Sequence, residues 1–395
     1  MFKIYSRYLQ FLSLPMTEQH KQRTSLSIYF LLSGFCFATW ASRIPTIKSL
    51  YNLNEAELGN LLLTLPISSL IGLPISGWLV AKFDSRKPLV VSFLLLNVAL
   101  AMIGLSNSII MLVFAVFIFS FCMRILNIAM NTQSISVQKS FARKIIGSFH
   151  GIWSSGGLIG VIFSTFMVKW DVSLLHHTII AAFISLVSGI LAYPFLLKND
   201  RSPHGNKLII GKPDKQILLL GLLVFFAAVC EGGIFDWSGV YFKDVVKVEL
   251  FTLGYLIFMV FMALSRFFSD TLIERFGMKR MYILSSTFIA VGISSLIIFP
   301  YFWPSIVALS ITGLGVAAIF PMTFMLAGTS KKYSPGMAIS IVATYAIVGM
   351  LVGPPLIGYI AHALDLKVAF VIFLISGLML IPISQLFFKR QPEEA

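Results

Sequence analysis

Gly77-Trp-Leu-Val-Ala-Lys-Phe-Asp-Ser-Arg-Lys87 and Asp270-Thr-Leu-Ile-Glu-Arg-Phe-Gly-Met-Lys-Arg280 are two short charged stretches set 193 residues apart. Each lies between two long apolar runs. At the same offset Gly156 and Gly160 fall on Gly349 and Gly353, and at an offset of 197 Trp40-Ala-Ser matches Trp237-Ser-Gly. Three correspondences in register read as an internal repeat. Working outward from them, the 395-residue chain divides into six apolar runs over 26–197 and six over 217–388, separated by a polar stretch at 198–216. An arm at 1–25 and a tail at 389–395 complete it. Each run is about 20 residues long, the length that crosses a bilayer as a helix. The chain is 57% hydrophobic and 12% charged, against about 25% charged in an ordinary soluble domain. A disordered chain and a disulfide scaffold are thereby excluded. The expectation is an all-α polytopic membrane protein, with twelve transmembrane helices in two pseudo-symmetric six-helix bundles.

The net charge of +14 could suggest nucleic acid as a partner, and its distribution argues against that. With both termini on one face, that face collects 22 of the 30 Lys and Arg and the opposite face six, while Arg124 and Arg266 fall inside spans. The bias puts both termini in the cytoplasm, with the chain in a cytoplasmic membrane among its lipids. The arm is polar and aromatic rather than a cleavable leader, so the first span is expected to target the chain uncleaved. Cys36, Cys122 and Cys230 all sit inside spans, where they read as small packing residues. No Walker loop, HExxH or GxSxG is present, so neither ATP hydrolysis, a cofactor nor enzyme chemistry is indicated. Two similar six-span halves point to a carrier with its site between them.

The two charged stretches resemble the signature loop of the major facilitator superfamily, GxLaDRxGRR in outline. The first departs from it, with Ala81 at the family's Asp and Asp84 at its Gly, while the second keeps an acid, Glu274, followed by Arg275 and Gly277. Finer features are similar to the YbjJ-like bacterial permeases, distant relatives of fucose-permease-type symporters. These are Trp40-Ala-Ser-Arg43-Ile-Pro45, His150-Gly-Ile-Trp153-Ser, Glu231-Gly-Gly-Ile-Phe-Asp236-Trp237-Ser and Gly353-Pro354-Pro355-Leu-Ile-Gly358. The resemblance implies the major facilitator fold and alternating access. It also implies gating by Asp84 and Arg86 in the first loop and by Arg266, Asp270, Glu274 and Arg275 around the second. A plain ion pair at a helix end is the other reading of that second group.

Polar groups within the spans carry the rest, since a charge at the bilayer centre costs at least about 2.5–3.5 kcal/mol. Span 4 holds Arg124, Asn127, Asn131 and Gln133, the first three sharing one helical face at spacings of three and four. They are expected to line a cavity for a small polar solute: a sugar, a sugar acid or an organic anion. Interhelical bonding is the alternative. Asn127 stands where the resembled branch places an Asp. Glu231 lies deep in span 7 and is the candidate carrier of a coupled H+, or else half of a permanent ion pair with Arg124. Asp236 and Arg43 could latch the outer mouth. His150 could switch with pH, and Trp40, Trp153 and Trp237 could stack on a flat solute. Proton-coupled uptake by a monomer is the primary reading. The alternatives are drug or metabolite efflux by proton antiport, and a non-transporting solute sensor.

Overall fold

The computed structural model describes residues 17–141, 145–198, 200, 214–333 and 335–389, with the side chains of 267, 270, 335 and 336 outside the description. Residues 1–16 of the expected arm, most of the linker and most of the tail therefore lie outside the described residues, while the rest of the arm from Glu18 on is already helical. What is described is helical, with no strand among it. In the first half α1 (Glu18–Ala41) turns at Ser42-Arg43 into the short α2 (Ile44–Leu50). Pro45 in the first turn of α2 explains the corner, because a helix start leaves its N–H without an intrahelical partner anyway. Then come α3 (Glu55–Phe83), α4 (Arg86–Leu105), α5 (Ile109–Gln138), α6 (Ile146–Lys169) and α7 (Leu174–Ala192), the last followed by a 3-10 turn at Tyr193–Phe195. A capping box starts α3: Asn54 Oδ1 accepts from the Glu57 N–H and Glu57 Oε2 accepts from the Asn54 N–H, each at 2.9 Å.

The second half repeats the count with two spans broken. It comprises α8 (Lys215–Asp244), α9 (Thr252–Phe276), α10 (Met278–Ile298), the pair α11 (Phe302–Val316) and α12 (Ile319–Gly328), α13 (Pro335–Ala363), and the pair α14 (Leu366–Ala369) and α15 (Val371–Lys389). By length and composition eleven spans among the described residues can cross a membrane. The twelfth, α9, is 25 residues long, and the side chain of residue 267 within it lies outside the described residues.

The repeat seen in sequence is a packing repeat. Gly156 of α6 sits on the backbone carbonyl of Leu31 in α1, and Gly349 of α13 sits on that of Phe225 in α8. A β-carbon at either glycine would collide with the carbonyl oxygen, so the two helix pairs touch backbone to backbone. The signature stretches also superpose in conformation. Asp84 ends α3 at φ 69° and Gly277, at the offset of 193, ends α9 at φ 74°. Glycine adopts this region freely, whereas an L side chain is strained there. Asp84 Oδ1 accepts from the Lys87 N–H at 3.2 Å, which caps the start of α4.

Both signature stretches lie at the end of the bundle where α1 starts at Glu18 and α15 stops at Lys389; the α1–α2 corner and Lys48 mark the other end. At the Lys48 end the halves are joined. Lys48 Nζ of α2 reaches Asp244 Oδ2 of α8 at 2.5 Å and Glu55 Oε1 at 2.9 Å. Lys243 Nζ donates to Ser49 Oγ at 2.6 Å and to the Pro45 carbonyl at 3.3 Å. Tyr359 donates to Asn60 Oδ1 at 2.8 Å, and nearby Gly358 of α13 lies against Gly59 and the Glu55 carbonyl of α3.

Candidate functional site

Between the halves, midway along the 30-residue α8, stands Glu231, only 7% exposed. Its Oε1 accepts from Arg266 Nη2 of α9 at 3.1 Å. The same guanidinium donates through Nη1 to Ser154 Oγ of α6 at 2.7 Å, so one side chain is bonded to both halves of the molecule. Among the described residues Glu231 Oε2 is buried without a hydrogen-bond partner. Around this centre Gly157 of α6 lies against Met259 of α9, and Tyr255 of α9 is within electrostatic reach of both Glu231 and Asp236. His150, exposed on α6, feels the charge of Arg266 and lies edge-on to Phe30 at 5.9 Å. Trp153 is half-buried and tilted against Phe37 at 6.2 Å. A fixed cation, a carboxylate with a spare acceptor, an imidazole and an indole thus gather where the halves meet.

The first half contributes α5. Arg124 donates from Nε to Ser69 Oγ of α3 at 2.6 Å, and Gly72 leaves room for its stem. Two turns on, Asn131 Nδ2 donates to the Asn127 carbonyl at 2.8 Å and to Asn127 Oδ1 at 3.2 Å.

A model of the Major Facilitator Superfamily matches residues 26–330 and 250–395, which between them span nearly the whole chain. The chain belongs to the major facilitator superfamily. Similar family members include an uncharacterised transporter of Sinorhizobium fredii, 31% identical over 87% of this chain and 92% of the relative. Others are the membrane protein MosC of Rhizobium meliloti, 29% identical over 94% and 92% respectively, and an uncharacterised MFS-type transporter of Yersinia pestis, 28% identical over 88% and 91%. Among solved structures the nucleoside transporter NupG aligns with TM-score 0.76 at 13% identity, covering 93% of this chain and all of that one. A bacterial homologue of the lysosomal transporter Spinster aligns with TM-score 0.72 at 13% identity, over 97% of this chain and all of that one. At those identities the two structures speak for the fold alone.

As a major facilitator transporter the protein places several sequence candidates elsewhere than expected. Glu231 pairs with Arg266, not with Arg124. Arg266, expected in a gate at the end of span 8, is thereby drawn into the centre. Arg43 turns away from Asp236: its Nε donates to His177 Nδ1 at 2.8 Å and its Nη2 to the Val172 carbonyl at 2.6 Å, both within its own half. Asp236 is 8% exposed and has no hydrogen-bond or ion-pair partner among the described residues. Trp40 and Trp237 are buried, with indole N–H groups that have no partner among the described residues, so in this state neither ring faces open space. Glu274 and Arg275 are exposed at the end of α9, Arg275 over the Phe276 ring at 5.6 Å, and the Asp270 side chain lies outside the described residues. Arg86 donates to the Tyr193 carbonyl at 3.1 Å and covers that ring at 4.3 Å, within its own half.

Gln133 belongs to the frame rather than to a cavity. It is completely buried, and its Nε2 donates to Ser85 Oγ at 2.9 Å and to the Leu197 carbonyl at 3.3 Å. Asp200 fixes the same serine, accepting from its N–H at 2.8 Å and its hydroxyl at 2.5 Å. Gln133→Leu should cost about 1–3 kcal/mol by stranding buried acceptors. Solute exchange per folded molecule should stay at the wild-type rate. A stable variant that no longer exchanges would return Gln133 to the solute path.

Sequence reasoning missed Lys48, Lys243, Asp244, Ser154 and Tyr255. A signal existed for the first two: they are among only six cations on the charge-poor face, and a charge kept on such a face has structural work to do.

Proposed function

We propose that this transporter is a secondary active carrier that moves a small polar solute with protons into the cell across the bacterial cytoplasmic membrane, working as a monomer. The observation that carries the reading is the double engagement of Arg266, on Glu231 of its own half and Ser154 of the other. Protonating Glu231 removes the charge that holds Arg266. The same event loosens the guanidinium's bond to the opposite half, so proton occupancy and the mid-bundle contact between halves change together. The excess of Lys and Arg on the face of the termini supports a cytoplasmic position for that face. The Lys48 end is then extracellular, and its cross-half contacts describe a carrier closed to the outside. Transport requires those contacts to open while the other end closes. Each chain carries both halves, so one copy suffices for alternating access.

Proteoliposomes test this with Glu231→Gln, which keeps the shape but cannot carry a proton. Counterflow of labelled solute should persist near the wild-type rate, while accumulation driven by an inward proton gradient should fall to the level of equilibration. Gradient-driven accumulation surviving in the variant would remove Glu231 from coupling. Failure of the wild type to exchange any solute would remove the carrier reading itself.

A further inference from the structure

We propose that the transported solute bears a single carboxylate and that Arg124 is the residue that receives it. The inference rests on the carrier reading above and narrows its substrate class. Positions 110, 114, 117, 121, 124, 128, 131 and 135 succeed one another at spacings of four and three, so they form one stripe along α5. Ile110, Phe114 and Ile135 at the two ends of that stripe are exposed, and Arg124 and Asn131 in its middle are half-buried. A guanidinium in the middle of a spanning helix does not face lipid when a wet cleft is available. The middle of the stripe is therefore the part of α5 turned to the interior.

Charge then decides what Arg124 meets there. Among the described residues Arg266 has its own acid in Glu231, and Arg43 near the end of its span is held by His177 and the Val172 carbonyl, while Arg124, in the middle of its span, has no acid. Only its Nε is used, on a serine hydroxyl, and that bond with the close approach of Gly72 fixes the stem against α3. The two terminal nitrogens remain to donate, in the forked geometry that matches a carboxylate. Asn131 orients its neighbour: by donating to Asn127 Oδ1 it leaves the Asn127 amide N–H pair as the free end, one turn from Arg124. Arg124 and Asn127 beside it therefore present donors and one uncompensated positive charge. A neutral solute would leave that charge unpaired in the membrane, and an amine would add to it. One cation without an acid matches one carboxylate on the solute.

Matched solutes differing only in charge test this on the purified, full-length protein: galactose, galacturonate and galactosamine, then propanol, propionate and propylamine, then the same sets with longer chains. Thermal stabilisation of the wild type is expected from carboxylate members alone. Arg124→Gln should weaken the best carboxylate at least a hundredfold while leaving the ligand-free melting temperature in place. If that variant does not fold, Arg124→Lys keeps the charge and loses the fork, with an expected tenfold weakening and an unchanged preference for acids. Stabilisation by neutral or cationic members with the acids inert overturns the proposal. So does a panel in which no carboxylate stabilises the wild type, or an Arg124→Gln variant that binds the acid as well as the wild type. Counterflow of the same solutes is read separately. A carboxylate that binds through Arg124 but is never exchanged defeats the carrier reading and leaves the anion site standing.

Discussion

Arg266→Gln should destabilise the protein by about 3 kcal/mol and abolish solute exchange. The variant leaves Glu231 in place, 7% exposed, with Oε1 stripped of its cation and Oε2 already without a donor. Breaking a buried pair by removing one partner costs about 3–5 kcal/mol, because the remaining charge stays in a medium that cannot solvate it. Arg266 itself is 29% exposed, which puts the expected value at the low end. The double variant Glu231→Gln with Arg266→Gln buries no uncompensated charge. It should recover most of the lost stability while remaining inactive, since the bond to Ser154 is still missing. The four melting curves of the cycle give the coupling directly. Additive losses would mean that the two side chains do not depend on each other, and the central site as described would be wrong.

Gly358→Leu should push the protein towards the state in which the Lys48 end is open. A β-carbon at Gly358 would stand 2.5 Å from the Glu55 carbonyl oxygen and 3.0 Å from the Gly59 α-carbon, both on the opposite half. Overpacking of this kind costs about 1–3 kcal/mol. Here the cost falls only on the conformation in which the halves touch. At 1.4 kcal/mol per tenfold, the open state should gain about five- to a hundredfold in population. Spin labels at Leu50 and Lys247 report it, since both positions are exposed at that end and belong to different halves. The three native cysteines, Cys36, Cys122 and Cys230, are buried, so labelling stays selective. The distance distribution should acquire a longer component. An unchanged distribution in a folded variant would mean that the α3–α13 contact does not hold this end shut.

The architecture was legible because hydropathy and charge act over whole segments. Twenty apolar residues must cross, and the offset of 193 that links Gly156 to Gly349 marks two contacts built the same way. The intramembrane charges were legible one at a time, because each is too costly to be accidental. Their partners were not. Arg266 looked like part of a terminal gate because Asp270 and Glu274 follow it at helical spacing, yet the packing of α9 between α8 and α6 turns it to Glu231 and Ser154. Arg43 looked like the mate of Asp236 from the repeat register alone, and His177, 134 residues further along the chain, took it instead. Gln133 shares span 4 with Arg124 but, nine residues on, lies about half a turn round the helix from it, which sends it to Ser85. Partner choice depends on how helices rotate against one another, and single-chain periodicity carries no information about that rotation.

The place of Arg266 within the 25-residue α9 bears on how the chain enters the membrane as it is made. An Arg costs about 2.5–3.5 kcal/mol at the centre of a helix inserting alone. The side chain that offsets this cost is on α8, the span synthesised just before it. A chain emerging residue by residue would hold α8 at the insertion machinery until α9 arrives, and the two would then pass into the lipid as one hairpin closed by Glu231 and Arg266. The ion pair at the centre of the finished bundle would then have served first as a step in its biogenesis.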